Sequence, residues 1–105
     1  SSAYNRRRQE CEEGLLLMRS DSPVRSFRDV TKWEDLIAYE PTMGEEVFNR
    51  CMFVVQEIAR TQEAAKLLQQ HDLTGFGKLM FQTHEGLSKL YEVSCTELDF
   101  LVELS

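Results

Sequence analysis

The sequence predicts an all-α fold, a small helical bundle, from three observations. Apolar residues recur at steps of three and four along the longest patterned stretch. Three hydroxyl-x-x-Glu signals, Thr31 with Glu34, Thr42 with Glu45 and Ser94 with Glu97, mark helix starts. No stretch alternates apolar and polar residues as a half-buried strand would. A chain of 105 residues, 42% apolar and 29% charged, is expected to fold as one modest unit rather than stay disordered. Residues 1–105 are accordingly read as a single partial domain.

The first helix, expected over about 2–19, opens on "SSAYNRRRQECEE". Three arginines stand near the positive end of the helix dipole, and the acidic run that would suit that end comes a turn or two later. At about 100° per residue, Arg6, Arg7 and Arg8 span most of the helix circumference, so at least one must face the body of the protein. Two readings of the triplet stand. One is a solvated face steadied by Glu10, Glu12 and Glu13. The other has one or two arginines paired with groups or an anion outside this chain. Tyr4 is open in the same way, as a core residue or as a phenol presented to a ligand.

Residues 20–30, "SDSPVRSFRDV" from Ser20, form the expected linker, with Val24, Phe27 and Val30 docking it onto the bundle. A short helix is expected over 31–38. The central helix, 43–70, carries one stripe of Val47, Cys51, Val54, Ile58, Ala65 and Leu68 and a second of Phe48, Met52, Val55 and Ala59. Two stripes predict cover from two sides. Asp72 caps the next helix, 73–92, whose Gly75, Gly77 and Gly86 each weaken it by roughly 1 kcal/mol against Ala and suggest close packing. A last helix is expected over 95–104.

Chemistry-bearing motifs are sparse. A formal charge of -6 argues against general nucleic-acid binding. Cys11, Cys51 and Cys95 lack metal or disulfide-framework spacing, which suits a reduced, cytoplasmic setting. His71 and His84 have no ligand beside them at metal spacing and are expected to be structural, His71 near the C-terminal dipole of the central helix. Cys95 at a helix start is read as a structural thiol rather than a nucleophile. There is no phosphate loop, no nucleophile elbow and no apolar run of membrane-spanning length. The missing initiator Met and the final "FLVELS" suggest that both ends are cut.

Read in order, these residues resemble galactokinases. "AYNRRRQECEE" is similar to the family's strand-to-helix stretch with Tyr, an Arg-rich turn and Gln, Cys and Glu. "VRSFRDVT" is similar to its linker, and Arg50, Val54, Val55, Glu57, Ile58, Arg60 and Thr61 match its central helix. Asp72, Phe76, Gly77, Leu79, Met80 and His84 follow at family spacing, and "YEVSCTELDFLVE" closes the match. Cys51, Met52, Phe53, Ser88, Lys89, Leu90 and Thr96 depart from the pattern. The resemblance implies a helical bundle fragment of the α+β C-terminal domain of a GHMP-type kinase, the superfamily that includes homoserine and mevalonate kinases. It implies that the parent transfers the ATP γ-phosphoryl group to the anomeric hydroxyl of α-D-galactose with Mg²⁺. It also implies that Tyr4 contacts the sugar, that no catalytic, cofactor or metal residue lies in this chain, and that the rest of the polypeptide packs against it. A non-catalytic helical interaction module, an N-acetylgalactosamine kinase and a galactose-sensing paralogue are the alternatives.

Overall fold

The structure is a computed structural model and describes residues 2–92. Four α-helices and two 3-10 segments make up the fold, with no strand among the described residues. The all-α expectation holds there. Helix α1 runs Ser2–Arg19, α2 Glu40–Met43, α3 Glu45–Gln69 and α4 Leu73–Lys89. The expected helix at 95–104, with its Ser94–Glu97 signal and Cys95, lies outside the described residues.

Helix α3 is the axis, as its two stripes predict, with α1 and α4 both packed on it. Its burial is uneven along its length. Val47, Cys51, Met52, Phe53 and Val55 are buried, whereas Ala59, Ala65 and Leu68 are exposed. The 25-residue α3 outruns the 18-residue α1 by seven residues, or about 10 Å at 1.5 Å per residue. The stripe is therefore real, and toward its far end it is less buried among the described residues. The larger core cluster joins Met18 of α1 to Leu36, Met43, Val47, Cys51, Met52 and Val55, with Val24, Phe27 and Val30 packed on it as expected.

Between α1 and α3 the local structure differs from the sequence expectation. In place of a helix over 31–38 there is a 3-10 segment Trp33–Tyr39, continuous with α2. Pro41 has no amide to bond Ile37, and the Glu40 amide instead reaches the Ile37 carbonyl over three residues. Leu36, fully buried, pins this segment. The linker itself holds a 3-10 turn, Phe27–Asp29, tied by the Asp29 carboxylate to the amides of Arg25 (2.8 Å) and Ser26 (3.3 Å).

Two expected capping boxes are absent. Lys32, not Thr31, precedes the 3-10 segment, and Thr42 lies within α2. Gly44 starts α3 with φ 85° and ψ 160°, a region essentially reserved for glycine. Asp72 does cap α4, accepting from the Gly75 amide at 2.9 Å. His71 sits at the end of α3 with φ 59°. Its amide bonds Leu68 and that of Asp72 bonds Leu67, the two-bond closure that usually falls to glycine.

The helix glycines divide by what surrounds them. A β-carbon on Gly14 would come 2.2 Å from Cys51 Sγ, and one on Gly86 2.8 Å from Phe53 Cδ1. These are close helix crossings, expected at Gly86 and unanticipated at Gly14. Gly77 has nothing within 4 Å. Gly14→Ala should therefore lose about 1–3 kcal/mol by overpacking, and Gly77→Ala should gain about 0.5–1 kcal/mol from helix propensity. Urea unfolding monitored by far-ultraviolet circular dichroism checks both signs.

Candidate functional site

The densest polar feature is a clasp where α1 and α3 begin and α4 ends. Helix ends leave carbonyls without intrahelical donors, and cationic side chains are favourable there. Two arginines meet that need. Arg7 of α1 donates from Nε to the Tyr91 carbonyl (2.5 Å), from Nη2 to the Glu92 carbonyl (3.1 Å) and from Nη1 to Glu10 (3.0 Å). Arg50 of α3 donates to the Leu90 carbonyl (2.8 Å), the Glu92 carboxylate (2.8 Å), Glu46 (3.3 Å) and Glu10 (3.2 Å). Glu10 Oε1 thus receives both guanidiniums.

Burial ranks the two. Arg50 is 1% exposed and Arg7 8%. A buried cation is tolerated only when its donors are met, and here carboxylates and carbonyls meet them. By contrast, the Arg8–Glu12 pair (3.2 Å) is exposed and worth at most a few tenths of a kcal/mol, and Arg6 is exposed. The two readings of the triplet are thereby separated by residue. Arg8 is the solvated pair, and Arg7 turns inward to partners in this chain rather than outside it.

Tyr91 is the apolar counterpart of the clasp. Its ring lies 5.0 Å from that of Phe53 with a 38° tilt, and its hydroxyl meets Cys11 Sγ at 3.7 Å. Burial, then Cys11 and Tyr4, push the Tyr91 phenol above its ordinary value. Tyr4 is half-buried at the start of α1, on the face of Arg7 and Cys11. Burial raises Cys11 to about 11 and Cys51 to about 12, which favours the thiol form of both at neutral pH.

No group of three or more His, Cys, Asp or Glu is placed to hold a metal among the described residues. His71 and His84 are both exposed. An open cleft of about 570 Å³ lies between the end of α1, the linker and the 3-10 segment, with Asp21, Asp29, Glu34 and Asp35 on its walls. Tyr39 donates to Asp21 there at 2.6 Å. Among the described residues no helix is long and apolar enough to cross a membrane.

Sequence reasoning placed Arg50 only within the family match and did not single it out as a buried group. A signal was present. On a helical wheel it falls about 60° from Val47 and about 40° from Val54, inside the first apolar stripe. A lone arginine on such a face is a buried cation seeking acceptors. Glu46 stands at i,i+4 spacing, but the acceptors 40 and 42 positions away carry no sequence signature.

Fold and site together define a helical bundle with interlocked helix ends, without a metal-holding cluster among the described residues. No family model matches the chain. In sequence it is related to galactokinases along nearly its whole length. The galactokinase of Thermotoga maritima is 45% identical over 103 residues, which is 98% of this chain and 27% of that protein. The bovine and human galactokinases are 44% and 43% identical over the same length, which is 25% of each. The chain spans about a quarter of the length of the curated relatives it matches.

Two measurements bear on the clasp. Arg50→Ala leaves the Leu90 carbonyl without its donor and Glu10 with Arg7 alone, and should cost about 3–5 kcal/mol in chemical denaturation. The hydrogen bond from Arg50, and its charge, hold the Glu92 carboxyl below its usual range. A depressed carboxyl stabilises the fold above its unfolded value and loses that contribution as pH falls through its folded value. Denaturation at stepped pH should show Glu92→Gln closest to the parent chain at acid pH and furthest from it at neutral pH.

Proposed function

We propose that this chain is part of a galactokinase, a GHMP-type kinase that transfers the ATP γ-phosphoryl group to the anomeric hydroxyl of α-D-galactose with Mg²⁺. The observation that carries this reading is the similarity to galactokinases along nearly the whole chain, from bacterial and mammalian relatives alike. The helical bundle suits it, since a supporting segment needs no catalytic cluster of its own. Nucleotide and metal would be held by the rest of the polypeptide, in a cytoplasmic enzyme.

Within that reading Tyr4 is the one residue assigned to substrate, as a hydrogen-bonding partner of galactose. Its half-burial at the first turn of α1 suits a phenol whose ring packs while its hydroxyl meets a ligand. Leu68, Leu73, Met80 and Phe81, exposed where α3 ends and along α4, suit packing by the remainder of the polypeptide.

The full-length protein, incubated with ATP, Mg²⁺ and a sugar panel, should release ADP in a galactose-dependent manner. Absence of that dependence removes the substrate assignment, and a preference for N-acetylgalactosamine would move it to the neighbouring kinase class. Tyr4→Phe should raise the galactose KM by about tenfold or less, as for the loss of one hydrogen bond. An unchanged KM with a lowered thermal midpoint would make Tyr4 a core residue.

A further inference from the structure

Two cysteines lie where α1 crosses α3. Cys51 is fully buried, and its Sγ is 2.2 Å from the place a β-carbon on Gly14 would take. Cys11 is half-buried one turn before Gly14, and residues three apart on a helix have β-carbons about 5–6 Å apart. Together these separations put the Cys51 sulfur within about 8 Å of the Cys11 β-carbon, close enough for a change of rotamer to bring the two sulfurs together. A charge on Cys11 also disfavours one on Cys51, as between groups that share one buried space.

The two thiols differ in what surrounds them. Cys11 has the Tyr91 hydroxyl at 3.7 Å, and that contact and the Arg50 and Arg7 guanidiniums favour its thiolate against burial and Glu10. Around Cys51, burial, Cys11, Glu10 and Glu13 all favour the thiol. Cys11 is also the more exposed of the two. An oxidant entering from solvent therefore meets Cys11 first, with Cys51 behind it.

We propose that Cys11 and Cys51 form a redox pair that ties α1 to α3 through a disulfide when the protein meets a peroxide. One peroxide oxygen passes to the Cys11 sulfur, giving a sulfenic acid and one water. The Cys51 sulfur then attacks Cys11 Sγ; the S–S bond forms as the S–O bond breaks, and the hydroxyl leaves with the Cys51 proton as a second water. Two thiols lose two electrons and one peroxide becomes two waters. The bond closes the chain from residue 11 to residue 51 into a loop, which restricts the unfolded state and stabilises the folded one. It stands on this chain's own residues, whether or not the parent acts on galactose.

The test treats the full-length folded protein with hydrogen peroxide, blocks remaining thiols with iodoacetamide in denaturant, and maps an unreduced tryptic digest by mass spectrometry. Peptides 9–19 and 51–60 should appear joined and separate on adding dithiothreitol. The oxidised protein should also melt at a higher temperature than the reduced one. Cys51→Ser should leave Cys11 as a sulfenic acid that dimedone traps, and Cys11→Ser should leave Cys51 a free thiol. Should the serine variants fold poorly, the unmutated protein alone decides. Two free thiols after treatment would overturn the proposal, as would either cysteine joined to any other cysteine or to a second molecule. So would a Cys11–Cys51 bond that forms only in denaturant, or one that lowers the thermal midpoint.

Discussion

The burial of Arg50 is the constraint on which the rest of this bundle depends. A guanidinium removed from water needs its donors met, and no single neighbour can do it. Glu46 lies on its own helix, Glu10 on α1, and Glu92 and the Leu90 carbonyl just beyond α4. Satisfying one side chain therefore fixes three helices relative to one another. The apolar packing of Phe53 on Tyr91 and the tight crossing at Gly86 are compatible with only that arrangement. A hydrophobic residue of similar volume at position 50 could match the stability, but it would not specify where the α4 end must lie.

The same interaction accounts for the inward turn of Arg7. Placed alone on an isolated helix, an arginine in the second turn works against the dipole. Here the relevant field comes from another helix, since α4 ends against α1 and offers the carbonyls of Tyr91 and Glu92. An unfavourable position within one element becomes a favourable one between two. Arg6 and Arg8 have no such acceptors from α4 and remain at the surface.

How much of this was legible in the sequence follows from the range of each interaction. The bounds of α1 and the existence of α3 and α4 were readable because helical periodicity repeats over many residues. The Asp72 cap was readable because donor and acceptor are three residues apart. The 3-10 segment Trp33–Tyr39 was not, because over seven residues three-residue and four-residue hydrogen bonding leave similar apolar spacings. The Thr42–Glu45 signal misled because Gly44, between them, has a conformation that starts a helix without help from a hydroxyl. Glu10 was legible as a partner of Arg7 at three residues' distance, but the distant partners were hidden for a third reason. They are main-chain oxygens more than eighty positions away, and any residue type would have supplied them.

Among the described residues the end of α3 is less buried than its start, and this bears on how the bundle opens. Around the clasp, amides are shielded by buried side chains from three helices, so hydrogen exchange there should proceed only through concerted unfolding. At the other end, where α3 passes beyond α1 and turns through His71 into α4, the backbone is closed by two hydrogen bonds and little apolar cover. Those turns are expected to exchange their amides ahead of the clasped end. A protein arranged this way has one rigid pole and one compliant pole, and Tyr4 stands at the rigid one.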